Sequence, residues 1–163
     1  MCQENQFWSE LKSGKFASLV KDSARGEKLS NAAEVYHVMR PMFAEQDDVE
    51  VVYGIFLDTK NRVLSIEKLA TGSIASAAIY PREIVKRAIG LKTAALVLVH
   101  NHPSGDPEPS REDFTITAKA LIALDSVGVA VHDHIVVGDG FHSMADSGWL
   151  ETMREKISNL TAS

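Results

Sequence analysis

The chain has 163 residues, 45% of them apolar and 24% charged, with a formal net charge of -5 at pH 7. That length and balance fit one globular domain with a real core, and the acidic charge argues against a basic nucleic-acid-binding face. A single cysteine, Cys2, excludes a disulfide framework and a cysteine-rich zinc site and fits a reducing, cytoplasmic setting; no apolar run reaches the roughly 18 residues of a membrane span, and the opening MCQENQFWSE is too polar for a signal peptide.

Residues 1–29 read as an N-terminal extension, and 30–163 as the domain. In the extension, Phe7, Trp8, Leu11, Phe16, Leu19 and Val20 have a loose helical spacing, broken at Ser13-Gly14 and Arg25-Gly26. One or two short helices are expected there, packed on the domain or on a partner. Asn31 followed by Glu34 is a capping-box pattern; it opens a helix through Val35, Val38, Met39 and Met42 to Ala44, with Pro41 kinking or shortening it. Glu45-Gln46-Asp47-Asp48 reads as an acidic loop. Glu50–Leu57, rich in β-branched and aromatic residues, predicts a strand, and Asp58-Thr59-Lys60-Asn61 turns it into a returning strand over Arg62–Leu69. Thr71-Gly72 ends that hairpin, and a short strand is expected over Ala77–Tyr80. Pro81 stands where a helix's first residue belongs, opening a helix over Arg82–Leu91. Ala94–Val99 is an apolar run of buried-strand type, and Asn101–Pro109 is a Pro/Gly loop. Ser110 starts a long helix to Ser126, with Gly128 as its stop. Val129–Val137 predicts a strand, Gly138-Asp139-Gly140 a turn, and Phe141–Met144 the hairpin partner. A fraying helix is expected from Trp149 onward. The pattern contains no internal repeat and predicts an α/β fold, a mixed sheet sandwiched by helices in one domain.

The chemistry is concentrated between Val99 and Asp113. Residues two apart in a strand face the same side, so His100 and His102 can converge on one point where the buried strand ends. The loop then returns the chain to a helix whose first turn carries Asp113. Two imidazole nitrogens and a carboxylate oxygen form a three-ligand set that zinc accepts, with a fourth position left for water. Zinc would bring the pKa of that water toward neutrality and polarise a carbonyl. Ser110 and Asp113 also form a Ser-x-x-Asp helix cap, so this half of the pattern has a purely structural reading. Both roles can hold together, because a cap fixes Asp113 where a ligand must stand. Ser110 could also donate a hydrogen bond to an oxyanion near the metal.

His-x-His, seven residues, Ser, two residues, Asp resembles the JAMM motif of JAB/MPN metalloprotease domains. His-Asn-His-Pro-Ser-Gly-Asp, with Pro81-Arg82-Glu83 upstream and Asp133-His-Ile-Val-Val-Gly138 downstream, is similar to the RadC family over residues 30–150. The resemblance implies a JAB/MPN fold, an α/β architecture like that of cytidine deaminases. It implies one zinc ion held by His100, His102 and Asp113, and it assigns Ser110 to steadying a tetrahedral intermediate. The family's catalytic glutamate lies in a Glu-apolar-apolar-x-Gly pattern, which Glu50-Val51-Val52-Tyr53-Gly54 matches. Glu50 would then take a proton from the zinc water and give it to the leaving amine. Its bland reading is an exposed carboxylate continuing the acidic loop, and Glu67 on the next strand is the reserve.

Other polar residues rank lower. His132-x-His134 is a second alternate pair without a loop carboxylate in the same arrangement, so core or supporting histidines are expected. Asp133 and His134 are candidates to orient a ligand. Asp106 faces substrate or solvent, and His37 and His142 show no constellation. Rival zinc chemistries fail on residues: His-Glu-x-x-His is absent, and Pro-Cys-x-x-Cys is impossible with Cys2 alone. The residues of an HNH nuclease are dispersed along a ββα unit, whereas His-Asn-His here is contiguous. Two functions remain: a zinc-dependent hydrolase of peptide or isopeptide bonds, acting on a protein or peptide substrate, and a metal-binding accessory protein in DNA repair or recombination. Longer RadC proteins resemble DNA-binding proteins in an N-terminal helix-hairpin-helix region. The first 30 residues here are too short for it, which weighs against direct nucleic-acid binding. No membrane partner is expected. A sheet edge or the N-terminal helix would be the surface for a homodimer.

Overall fold

The computed structural model describes residues 6, 9–10, 13–44, 48–72 and 79–162. Five strands form one mixed sheet: β1 (Val51–Leu57), β2 (Val63–Thr71), β3 (Ala95–Asn101), β4 (Ala130–Gly138) and β5 (Gly140–Ser143). Their order is β2-β1-β3-β4-β5. β1 is antiparallel to both β2 and β3, β3 is parallel to β4, and β4 is antiparallel to β5. The described helices are α1 (Lys15–Ala24), α2 (Ala32–Phe43), α3 (Pro81–Gly90), α4 (Arg111–Asp125) and α5 (Trp149–Thr161). This is the expected mixed sheet between helices. Among the described residues no helix is long and apolar enough to cross a membrane.

Every residue of β1 and β3 is buried, because helices cover both faces of the central strands. On one face Tyr53, Ile55, Val97, Val99 and Ile135 pack with Val35, Met39 and Met42 of α2. On the other, Phe56, Leu96 and Leu98 pack with Ile84 of α3, Ala120, Leu121 and Leu124 of α4, and Leu150 of α5. Alternation along the central strands therefore divides their apolar residues between two cores. α4 forms the crossover that the parallel β3–β4 pair requires.

Local signals account for most boundaries. The Asn31 side chain caps α2 by accepting from Glu34 N at 2.9 Å, while Glu34 reaches Ser30 N at 2.6 Å, one residue earlier than a standard capping box. Pro41 stays inside α2, which ends two residues later at Phe43. α1 joins the core through Ala17, Val20 and Ala24. The segment after it follows the edge of β2, where Gly26 N donates to Val63 O and Val63 N to Glu27 O. Phe7, Trp8, Leu11, Cys2, most of the acidic loop, and Ala77 and Ala78 lie outside the described residues; Ile79 and Tyr80 are not in a strand. β1 begins at Val51, one residue after the expected start, and β3 runs two residues beyond Val99, taking His100 and Asn101 into the ladder.

Gly54 sits in the middle of β1 under crowded conditions. A Cβ there would stand 3.1 Å from Leu69 Cδ1 and from Phe56 Cε2, and 3.2 Å from Leu96 Cδ1. A branched side chain would have to push three core residues aside. Gly54→Val is expected to lower stability by about 1–3 kcal/mol, as overpacking does; a denaturant midpoint equal to wild type would show that this layer yields freely.

Candidate metal centre

The site forms where β3 leaves the sheet. His100 pairs with Val52 of β1 on one side and Val136 of β4 on the other, so its imidazole rises from the centre of the sheet and is fully buried. His102 lies just past the strand, where its backbone N–H still donates to Val137 O at 2.8 Å. Asp113 enters from the first turn of α4 and is 1% exposed. Ser110 is the N-cap: its hydroxyl accepts from Asp113 N at 3.1 Å, and its own N–H donates to Asp113 Oδ2 at 2.8 Å. The cap and the carboxylate thus hold each other.

Three donors meet at one point. His100 Nε2 and His102 Nε2 are 3.0 Å apart. Asp113 Oδ1 is 3.2 Å from His100 Nε2, and Oδ2 is 3.1 Å from His102 Nε2. Among the described residues, this is the group of histidines and carboxylates able to hold a metal ion. His102 Nδ1 lies 2.9 Å from the Asp106 carbonyl. A carbonyl only accepts, so the Nδ1 hydrogen is committed and Nε2 is the nitrogen open to a cation.

Charge and burial act together here. Burial pushes the Asp113 carboxyl up, but hydrogen bonds from His100 and His102, the charge of His100 and the Ser110 N–H outweigh it, holding the group well below the usual carboxylate range. The hydrogen bond to Asp113 raises His102 against its burial, helped by the Asp106 carbonyl and by the charges of Asp113 and Glu50. A proton and a cation therefore compete for the same lone pair on His102. His134, fully buried, is held well below the ordinary histidine range chiefly by desolvation.

Glu50 immediately precedes β1, two residues before Val52, the partner of His100, and its charge acts on His102. Its carbonyl accepts from Gly72 N at 2.8 Å. The residues flanking it are clamped by one side chain: Asn101 Oδ1 accepts from Val51 N at 2.7 Å, and Asn101 Nδ2 donates to Val49 O at 3.0 Å. The same tripeptide thus turns two imidazoles to one face and uses its middle amide to fasten the segment carrying Glu50.

Residues 29–149 match the family model described as "RadC-like JAB domain". The chain belongs to the RadC-like JAB domain family. Among curated proteins it is similar to a "UPF0758 protein" of Xanthomonas campestris, 42% identical over 133 residues, covering 81% of this chain and 59% of that protein. A "UPF0758 protein" of Azotobacter vinelandii is 51% identical over 102 residues, 62% of this chain and 46% of its own length. One of Vibrio cholerae is 39% identical over 126 residues, 77% of this chain and 79% of that protein. The chain spans less than two thirds of the length of the first two of these relatives. Their names state no activity.

The RadC-like JAB domain places the remaining candidates apart. Glu67 lies on β2 with its carboxylate 3.6 Å from Arg87 of α3, opposite Gly54 rather than at the strand end. The Asp106 carboxylate accepts from Glu108 N within its own loop. Asp133 accepts from the Ser143 hydroxyl, Ala145 N and His134 N, so it braces the β4–β5 hairpin. His132 reaches Asn61 Oδ1 at 2.9 Å, while its partner His134 bonds His100 at 2.8 Å. His37 lies beside the Tyr36 ring, and His142 lies on β5 opposite Val136. Sequence reasoning missed Asn101 and Thr117. The signal for Thr117 was its position one turn after Asp113 on the same helix face; for Asn101 it was a polar amide alternating with two imidazoles.

The loop after His102 rests on the β4–β5 turn. Asp139 N donates to Gly105 O at 2.6 Å, and a Cβ on Gly138 would run into that carbonyl. Gly138→Ala is expected to displace the loop and cost about 1–3 kcal/mol in denaturant unfolding, with weaker metal uptake. Unchanged stability and uptake would show that the loop is not held by this contact.

Proposed function

We propose that the protein is a zinc-dependent hydrolase of JAMM type, cleaving peptide or isopeptide bonds. The observation that supports this most is the convergence of two imidazole nitrogens and a carboxylate within 3.0–3.2 Å of one another. Ligands at zinc distances on tetrahedral corners stand roughly 3.3 Å apart, so the set fits with little adjustment. A donor set of two nitrogens and one oxygen, without sulfur, is that of a catalytic site. His100, His102 and Asp113 would hold the ion, which when bound supplies a Lewis acid that polarises a carbonyl and acidifies water.

The chain's own groups would carry the rest. Glu50 takes a proton from the attacking water and returns it to the departing nitrogen, which makes the leaving group a neutral amine. Ser110 accepts from Asp113 N, and an oxygen that accepts keeps its own hydrogen to give. That hydrogen serves the oxyanion that develops on the scissile carbonyl.

Metal analysis and cleavage assays on purified variants test the reading. Wild type is expected to carry one zinc per chain, and Asp113→Ala to lose it. Glu50→Gln is expected to keep the zinc while slowing peptide or isopeptide cleavage by about 10²–10⁴-fold, the usual worth of a general base. Full zinc content in Asp113→Ala would refute the ligand assignment. Chelation is expected to lower Tm; zinc at a hundredfold its Kd adds about 2.7 kcal/mol, and a Tm indifferent to chelator would contradict binding to the folded state.

A further inference from the structure

Behind the donor cluster a buried path of hydrogen bonds joins the strand's ligand to the helix's ligand. His100 Nδ1 lies 2.8 Å from His134 Nε2. His134 Nδ1 lies 2.5 Å from Thr117 Oγ1, and the Thr117 hydroxyl donates to the Asp113 carbonyl at 2.6 Å. His100, Thr117 and His134 are all 0% exposed. His134 stands opposite Leu98, and Val136 stands opposite His100, so the two imidazoles meet diagonally across neighbouring strands.

The protons on this path can run in one direction only. A threonine hydroxyl has a single hydrogen, and a carbonyl only accepts. Thr117 therefore gives its hydrogen to Asp113 O and must accept from His134 Nδ1. A fully buried imidazole bonded to a hydroxyl and another imidazole is neutral and carries one hydrogen. That hydrogen is on Nδ1, so His134 Nε2 is bare and accepts from His100 Nδ1–H. When His100 is neutral, its lone pair is therefore on Nε2, pointing at His102 and Asp113, where a proton bonded to Asp113 and a cation compete for it. For His102 one backbone carbonyl does the same work. His100 is too deep in the sheet for a loop carbonyl and reaches its acceptor through two side chains.

We propose that Thr117 and His134 are positioning residues of the metal site, which set the tautomer of His100 so that Nε2 presents a lone pair to a divalent cation. The inference rests on the reading of the cluster as a zinc site. Without the Thr117 hydroxyl, His134 is free to carry its hydrogen on Nε2. It then donates to His100 Nδ1, the His100 hydrogen moves to Nε2, and the metal-facing position is occupied by a proton. One hydroxyl, bonded to neither imidazole nitrogen of the ligand, thus decides which nitrogen of His100 is available.

Two measurements test this. In metal-free wild type, nitrogen-15 NMR of the imidazoles is expected to show His134 protonated on Nδ1 and bare on Nε2, and His100 protonated on Nδ1. Zinc competition against a chromogenic chelator is expected to show about 10–100-fold weaker binding for Thr117→Val, the usual cost of a lost supporting hydrogen bond. Thr117→Ser, which restores the hydroxyl, is expected to recover wild-type affinity and the wild-type tautomer. A hydrogen on His134 Nε2 in wild type, or equal zinc affinity in a folded Thr117→Val, would overturn the proposal. Failure of wild type to bind zinc would instead refute the zinc reading, and the NMR tautomers would still decide the direction of the path.

Discussion

The register of β3 against its two neighbours governs the position of each group in the site. Val52, His100 and Val136 stand side by side across β1, β3 and β4. From that row Glu50 follows two residues before Val52, and His134 two residues before Val136. The pairing is non-local, and the energy that maintains it comes from the two cores on either face rather than from the polar groups themselves. His100, Asn101 and His134 keep their backbone places in the ladder, and only their side chains are given to the site. Each buried member has partners: Asp113 has the Ser110 N–H and both imidazoles, and His134 has Thr117 and His100.

α4 contributes in two distinct ways. Its first turn delivers Asp113, locked by the reciprocal cap with Ser110. One turn later it delivers Thr117, whose hydroxyl bonds back to the Asp113 carbonyl. Such back-bonding inside a helix is usually neutral or slightly unfavourable. Here it uses up the hydroxyl's only hydrogen, and that is what gives the oxygen its role as an acceptor for His134. The supporting groups are therefore as specifically oriented as the ligands they serve.

Local patterns made much of this legible. The His100/His102 alternation and the Ser110–Asp113 cap require only strand and helix geometry, and the structure brings these residues together. The apolar run stops at Val99, whereas the ladder continues through His100 and Asn101; both are buried although polar, so loss of apolar character marks neither the end of pairing nor exposure. Glu50 could be singled out only through the family resemblance, since its place depends on a pairing about fifty residues away in sequence. The same limit hid Asn101's bonds to Val49 and Val51 and Thr117's bond to His134. Of the two candidates to orient a ligand, His134 bonds His100 while Asp133 bonds Ser143, because adjacent strand residues point to opposite sides.

The tripeptide His100-Asn101-His102 has no idle position, and that has a consequence for how the chain finds its fold. A slip of β3 by one residue would turn both imidazoles toward α2 and bring the Asn101 amide to the face of Asp113. Two polar rings would then lie among Val35, Met39 and Met42, and the Val49–Val51 segment would lose its fastening. The wrong alignment is penalised on both faces at once. The residues that build the site therefore also proofread the sheet, discriminating against a misaligned strand more sharply than an apolar sequence of the same shape could.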